Sequence, residues 1–115
     1  MWFKLKTPVL GDFEQLVLFG VLRLELDDGA YGATIRQDIH ARSGRDVSIN
    51  AVYTTLERLE SKGLLKSWVA DPTPHRGGRR RKCYALRPAG VAALRQAYRA
   101  FTGMADGLQA RLETK

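Results

Sequence analysis

Five of the seven residues from 76 to 82 are cationic: Arg76, Arg79, Arg80, Arg81 and Lys82, with Gly77 and Gly78 between them. Held this close, the charges repel one another, and only Asp71 in the same stretch could offset them, so the run is costly to maintain without a polyanion partner. It is also where the net charge of the chain resides. Nineteen Lys and Arg against twelve Asp and Glu leave +7, of which this run supplies +5, while residues 1–60 hold seven basic and nine acidic groups. Positive charge gathered at one point is the electrostatic footprint of a nucleic-acid partner. The two glycines keep the tip slender enough to approach a minor groove, where enhanced negative potential attracts arginine.

A second set of residues complements the first. On a helix through residues 49–61, Ile49, Val52, Leu56 and Leu59 fall within an arc of about 80°, so that side must enter the core. The opposite side carries Asn50, Ala51, Thr54, Arg58 and Ser61, with Glu57 beside them and Tyr53 at the boundary. Such small or hydrogen-bonding side chains fit a major groove about 12 Å wide and can meet base edges there. A solvated helix face is the ordinary explanation for such residues taken singly, and a solvated loop is the ordinary explanation for two or three basic residues. Five cations in seven positions beside such a helix are better explained by nucleic acid.

Other chemistry is poorly supplied. Cys83 and His75 are too few for a zinc site, no glycine-rich phosphate loop follows a strand, and no strand-turn nucleophile pattern occurs. No enzyme activity, cofactor or metal is therefore expected. Cys83 reads as a structural thiol rather than a redox sensor, although its basic neighbours favour a lower pKa. A single cysteine makes no internal disulfide. No apolar run approaches the roughly 20 residues of a membrane span, and Met1 to Leu10 lacks the arrangement of a secretory signal. The expectation is a cytoplasmic protein without a membrane role.

The elements that must position these residues can be read in order. Asp12 with Gln15 forms a capping box that opens a first helix over Phe13 to Leu26, apolar almost all round and so suited to burial on most sides. Asp27, Asp28 and Gly29 end it. A second helix runs from Tyr31 or Gly32 to Ser43, with Ile35 and Ile39 on the buried side and Gly44 closing it. Ser48 caps the third helix, Val47 and Val52 stand at staple positions, and Gly63 ends it with Leu64 placed to pack on Leu59. Leu65 to Ala70 reads as a strand in which Leu65, Ser67 and Val69 alternate against Lys66, Trp68 and Ala70. Arg81 to Leu86 is its return strand, and Pro72, Pro74, Gly77 and Gly78 make the connection a long hairpin loop. Pro88 starts a last helix reaching to about Leu112.

On that last helix Val91, Leu94, Tyr98, Phe101, Ala105, Leu108 and Leu112 follow spacings of 3 and 4, a heptad seam. A helix of about 25 residues extends roughly 37 Å, more than a domain this small covers, so its distal part needs another chain. Gly103 and Gly107 weaken it and suggest a kink or a close crossing. A chain of 115 residues is one domain with at most an appendage. The fold expected is mainly α with a small β-hairpin (α+β), a winged helix-turn-helix in which residues 1–87 form the DNA-binding domain with an N-terminal extension and residues 88–115 a C-terminal dimerisation helix.

At this point the sequence resembles the PadR family of bacterial transcriptional regulators, its short-chain members in particular, over about residues 10–90. The resemblance rests on Leu10-Gly-Asp-Phe-Glu14, Tyr31-Gly32, the run from Val47 to Leu65, Gly77-Gly-Arg-Arg-Arg-Lys-Cys-Tyr84 and Leu86-Arg-Pro-Ala-Gly90. It implies a homodimeric repressor on a partly palindromic double-stranded DNA operator, with the third helix in the major groove and the wing beside it. Carried over by position, Ser48, Asn50, Ala51, Tyr53 and Thr54 fall on the reading helix, Arg79, Arg81 and Lys82 fall on the wing, and Tyr31 sits where the family often touches phosphate. Cys83 in place of a usual aromatic, and Arg87 in place of a usual threonine cap, depart from the pattern. A small-molecule effector, if there is one, would bind at the dimer interface, where Trp2, Phe3, Tyr98 and Phe101 could line a pocket; packing is the simpler role for them. The competing readings are a winged-helix module that binds protein and a nonspecific nucleic-acid binder.

Overall fold

The computed structural model describes residues 7–71 and 80–113. Four helices and a hairpin occupy the expected places: α1 (Asp12–Leu24), α2 (Gly32–Ser43), α3 (Ile49–Ser61), β1 (Leu65–Ala70), β2 (Arg81–Leu86) and α4 (Pro88–Ala105), followed by a short α5 (Gln109–Glu113). The architecture is mainly helical with a two-stranded antiparallel hairpin, the winged helix-turn-helix arrangement. α1 is the hub, packing against α2, α3, β2 and α4. Val17, Leu18 and Val21 from α1, Ile35 and Ile39 from α2, Val52, Leu56 and Leu59 from α3, and Leu64, Leu65, Tyr84, Ala93 and Leu94 form one buried core.

The start of α1 differs from expectation by one residue. Gly11, extended at φ −71° and ψ 166°, precedes the helix, and Glu14 rather than Gln15 closes the box by accepting from the Gly11 N–H at 2.9 Å. Asp12 is then free to pair with Arg45, at 2.6 Å. The helix also ends earlier, at Leu24, and residues 26–28 form a 3-10 turn in which Asp27 and Asp28 both have positive φ. Aspartate tolerates that region better than most side chains, and the turn is held from outside: Trp68 Nε1 donates to Asp28 Oδ1 at 2.9 Å, and the Cys83 thiol lies 3.3 Å from the Asp28 carbonyl oxygen. Burial of α1 on most sides is as expected, with Leu22 left exposed.

Expectations for α2 and α3 agree with the structure in detail. Gly44 closes α2 at φ 76°, and Ser48 Oγ accepts from the Ala51 N–H at 3.0 Å. At the far end of α3, Gly63 N donates to Glu60 O and Leu64 N to Leu59 O, the paired bonds that satisfy the last carbonyls of a helix ended by a left-handed residue.

The strands have the expected bounds, with Leu65 opposite Leu86, Ser67 opposite Tyr84 and Trp68 opposite Cys83. The simple alternation does not hold, because the hairpin base is covered on both faces. Ser67 donates to Glu60 of α3 on one face, Trp68 and Cys83 meet the Asp28 turn on the other, and Val69 is left 56% exposed. Tyr84 N donates to Ala30 O, so residue 30 covers the outer edge of β2.

The last helix is shorter than its apolar spacing implied. α4 stops at Ala105, Gly107 at φ 82° breaks the path, and Leu108 and Leu112 belong to the separate final turn and helix. A helix of 18 residues spans about 27 Å rather than 37 Å. Leu94 is buried in the core of its own chain, whereas Tyr98, Phe101, Leu108 and Leu112 are exposed. Pro88 occupies the first turn without a side-chain cap from Arg87, whose backbone N–H instead donates to Leu64 O at 2.9 Å.

Candidate nucleic-acid interface

The clear capping of α3 at both ends gives it a defined length and rotation, and its burial divides as the wheel required. Val52, Leu56 and Leu59 are inside together with Thr55, and Ile49 is half-buried. Ser48, Asn50, Tyr53, Thr54, Arg58 and Ser61 are exposed on the other side, and Ala51 is half-exposed. The N-terminal half of the helix therefore presents a short polar surface to solvent.

The surface is carried by its neighbours. Arg36 of α2 donates from Nε to the Val47 carbonyl at 2.7 Å, tying the turn between α2 and α3 to the body of α2. Tyr53 lies against the first residue of α2 so closely that a Cβ on Gly32 would stand 2.3 Å from its ring. Tyr31 precedes α2, its N–H donating to Thr34 Oγ1 at 3.1 Å, and Arg81 at the base of the wing lies over its ring at 4.5 Å. Tyr31, Gly32 and Tyr53 are thus brought together with Arg81, although they come from three separate places in the chain. Lys82 stands 3.8 Å from Glu60 and over the ring of Tyr84, and Arg80 is exposed. Arg76 and Arg79 lie outside the described residues.

Arg58 is placed differently from the rest of the expected set. Its guanidinium Nε donates to Glu14 Oε2 at 3.3 Å and its terminal nitrogen to Thr55 Oγ1 at 3.3 Å, while Lys62 Nζ donates to the same Glu14 oxygen at 2.8 Å. Glu14 is only 7% exposed. Burial pushes its carboxyl up from the ordinary 4.5, but the bonds from Lys62, the Gly11 N–H and Arg58 outweigh that and hold it below. Stability from this cluster is therefore fully present above pH 4.5 and is lost as pH falls through the lower folded value. Acid melts of the parent and Glu14→Gln test this: the parent's advantage should shrink below pH 4.5, and a difference independent of pH would contradict it. Sequence reasoning missed Glu14, Arg36 and Asp28 as partners. For Glu14 a signal existed, since it falls at the i, i+3, i+4, i+7 spacing of Val17, Leu18 and Val21, an acid on a core face.

Comparison with known proteins decides the class. The family model of the Transcriptional regulator PadR-like family matches residues 21–96. This chain belongs to the PadR-like family. It is 39% identical over 87 residues to Transcriptional regulator Rv3488 of Mycobacterium tuberculosis, covering 74% of this chain and 75% of that protein. A crystal structure of a PadR family transcriptional regulator from Eggerthella lenta superimposes with a TM-score of 0.63 at 30% identity, over 88% of this chain and 84% of the other. A PadR family regulator from Clostridium difficile R20291 shares the fold at a TM-score of 0.69 and 24% identity, over 89% and 99% of the two chains. As a PadR-like protein the chain is a DNA-binding transcriptional regulator and not an enzyme. Among the described residues, no helix is long and apolar enough to cross a membrane.

Proposed function

We propose that this PadR-like protein is a repressor that acts as a homodimer on a partly palindromic operator in the cytoplasm. Each subunit lays the exposed face of α3 in the major groove, where Asn50, Ala51 and Thr54 meet base edges. Ser48 and Tyr53 belong to the same reading helix, Tyr31 sits at a phosphate, and the wing with Arg76, Arg79, Arg80, Arg81 and Lys82 lies alongside. The observation that carries this reading is the division of α3 into a buried apolar side and an exposed side of small polar residues, flanked at one end by the base of a cationic hairpin. Phosphate contacts set register and affinity, whereas base-edge contacts set sequence preference.

The dimer reading is supported by the apolar side chains that α4 leaves uncovered, Phe101 at 70% and Met104 at 81% exposure among them. Val91, Leu94, Tyr98, Phe101, Ala105, Leu108 and Leu112 were the expected seam; with Leu94 inside, the exposed members together with Met104 are the ones assigned to the partner. An effector would enter at that interface. Tyr98 and Phe101 line two different grooves among the described residues. Phe101 lines one of about 430 Å³ with Val9, Leu10, Ala97 and Met104, and Tyr98 lines one of about 370 Å³ with Phe19, Leu22 and Val91. Trp2 and Phe3 lie outside the described residues.

A mobility-shift titration against the region upstream of the protein's own gene tests the function. Salt-dependent retardation of a specific duplex is expected; retardation of no duplex would favour a protein-binding module, and equal retardation of all would favour a nonspecific binder. Asn50→Ala or Thr54→Ala should then change base preference at one or two operator positions, at a cost of about 1–3 kcal/mol for a good base contact. If both variants rank a panel of operator variants as the parent does, the orientation assigned to α3 is wrong.

A further inference from the structure

Glu14 stands out because a carboxylate with 7% exposure is joined to two cations, Arg58 of the reading helix and Lys62 at its C-cap. Its two oxygens do different work. Oε1 accepts from the Gly11 N–H at the start of α1, and Oε2 accepts from Arg58 on α3 and from Lys62, one turn later at the C-cap of that helix. Thr55, itself buried, adds a second acceptor for Arg58 at 3.3 Å. Both cations remain about half exposed, so they are held at the surface and not entombed. Left unpaired, long basic side chains on the outer half of α3 would be within reach of a polyanion laid along that helix, and they would bind phosphate without regard to sequence.

We propose that Glu14 is a positioning and specificity-determining residue that holds Arg58 and Lys62 against α1, so that the short polar residues of α3, and not its long cations, are what DNA meets. This rests on the reading of α3 given above. At an operator, base contacts fix the pose of α3 and leave little for released cations to add. On unrelated DNA no such contacts exist, and the protein settles wherever Arg58 and Lys62 find phosphate. Releasing them therefore strengthens nonspecific binding more than specific binding.

The experiment measures affinity for an operator duplex and for an unrelated duplex across a salt series, with the parent, Glu14→Gln, Arg58→Gln/Lys62→Gln and the triple combination. Glu14→Gln should steepen the slope of log affinity against log salt on unrelated DNA by roughly 0.9 per cation that reaches a phosphate, so that the affinity lost between 50 and 200 mM salt grows about three- to fourfold per contact. The ratio of operator to unrelated affinity should fall. In the Arg58→Gln/Lys62→Gln background, Glu14→Gln should add nothing to the slope. A lowered melting temperature with unchanged slope would reduce Glu14 to a structural role, and an equal steepening without the two cations would place the effect elsewhere; either overturns the proposal. If Glu14→Gln does not fold, the Nε–H resonance of Arg58 in the parent decides: it should stay protected from exchange and unshifted when operator is added, and a shift on binding overturns the proposal. Failure of the parent to bind any duplex is a separate result, which removes the reading of α3 itself.

Discussion

Phe101→Asp is expected to give a folded monomer that has lost most of its operator affinity while keeping weak nonspecific binding. Phe101 sits in the outer half of α4 with 70% of its surface open and with Met104 on the next turn more open still. Substitutions at exposed positions away from caps and special backbone usually change stability by no more than about 0.5 kcal/mol, so the subunit should melt as before. The interface should not survive, because a charge at the centre of an apolar contact must be desolvated without a partner. Two reading helices presented to half-sites about one DNA turn apart gain by avidity on the order of 10²–10⁴ over one, and that factor is what the variant gives up. Sedimentation and the mobility shift read the two consequences separately. A variant that stays dimeric would move the interface to the groove of Phe19, Leu22 and Tyr98 on the other flank of α4. Truncation after Arg99 should act in the same direction, since it removes Phe101, Met104, Leu108 and Leu112 together.

Gly90→Ala should be the most destabilising of the small substitutions. The first turn of α4 is seated directly on the chain leaving α3: Arg87 N donates to Leu64 O at 2.9 Å, and a Cβ on Gly90 would lie 2.2 Å from that same oxygen and 3.1 Å from its carbon. The obstacle is backbone within the core and cannot rotate aside, so α4 or the Leu64 turn must shift. Overpacking of this kind costs about 1–3 kcal/mol, and in a domain near 100 residues each kcal/mol lowers Tm by about 4–8 °C. Gly103 provides the contrast on the same helix. A Cβ there meets nothing within 4 Å, so Gly103→Ala should stabilise by up to about 1 kcal/mol through helix propensity alone. Equal melting temperatures for the two variants would contradict the packing described for the base of α4.

Local signals were sufficient wherever the controlling interactions span a few residues. Ser48 and Gly63 bound α3, Gly44 closes α2, and Pro88 begins α4, because each acts through its own φ/ψ or through hydrogen bonds within one turn. The polar face of α3 was likewise available from period alone, since Val52, Leu56 and Leu59 leave only one side for the core. The PadR-like assignment followed from residue strings, and the family match over residues 21–96 agrees with it.

What the tertiary structure decided lies in contacts between distant segments. Gly11 and Asp12 compete for the cap of α1, and the choice falls to Gly11 because Glu14 can back-bond to it while Arg45, 33 residues away from Asp12, takes the Asp12 carboxylate. The alternation of β1 fails because the Asp28 turn also covers the face that carries Trp68 and Cys83, which a period-2 pattern cannot anticipate. Apolar spacing could not show that α4 ends at Ala105, since the pattern continues through Gly107, whose left-handed backbone interrupts the helix without interrupting the pattern. Arg58 is the sharpest case. Type and position place it with the residues facing DNA, and only the fold brings a buried carboxylate 44 residues earlier in the chain within reach of its guanidinium. Helix period and capping are properties of neighbours along the chain. The pairing of Glu14 with Arg58, of Asp28 with Trp68 and of Tyr53 with Gly32 depends on how α1, α2, α3 and the hairpin pack together, and no local rule contains that packing.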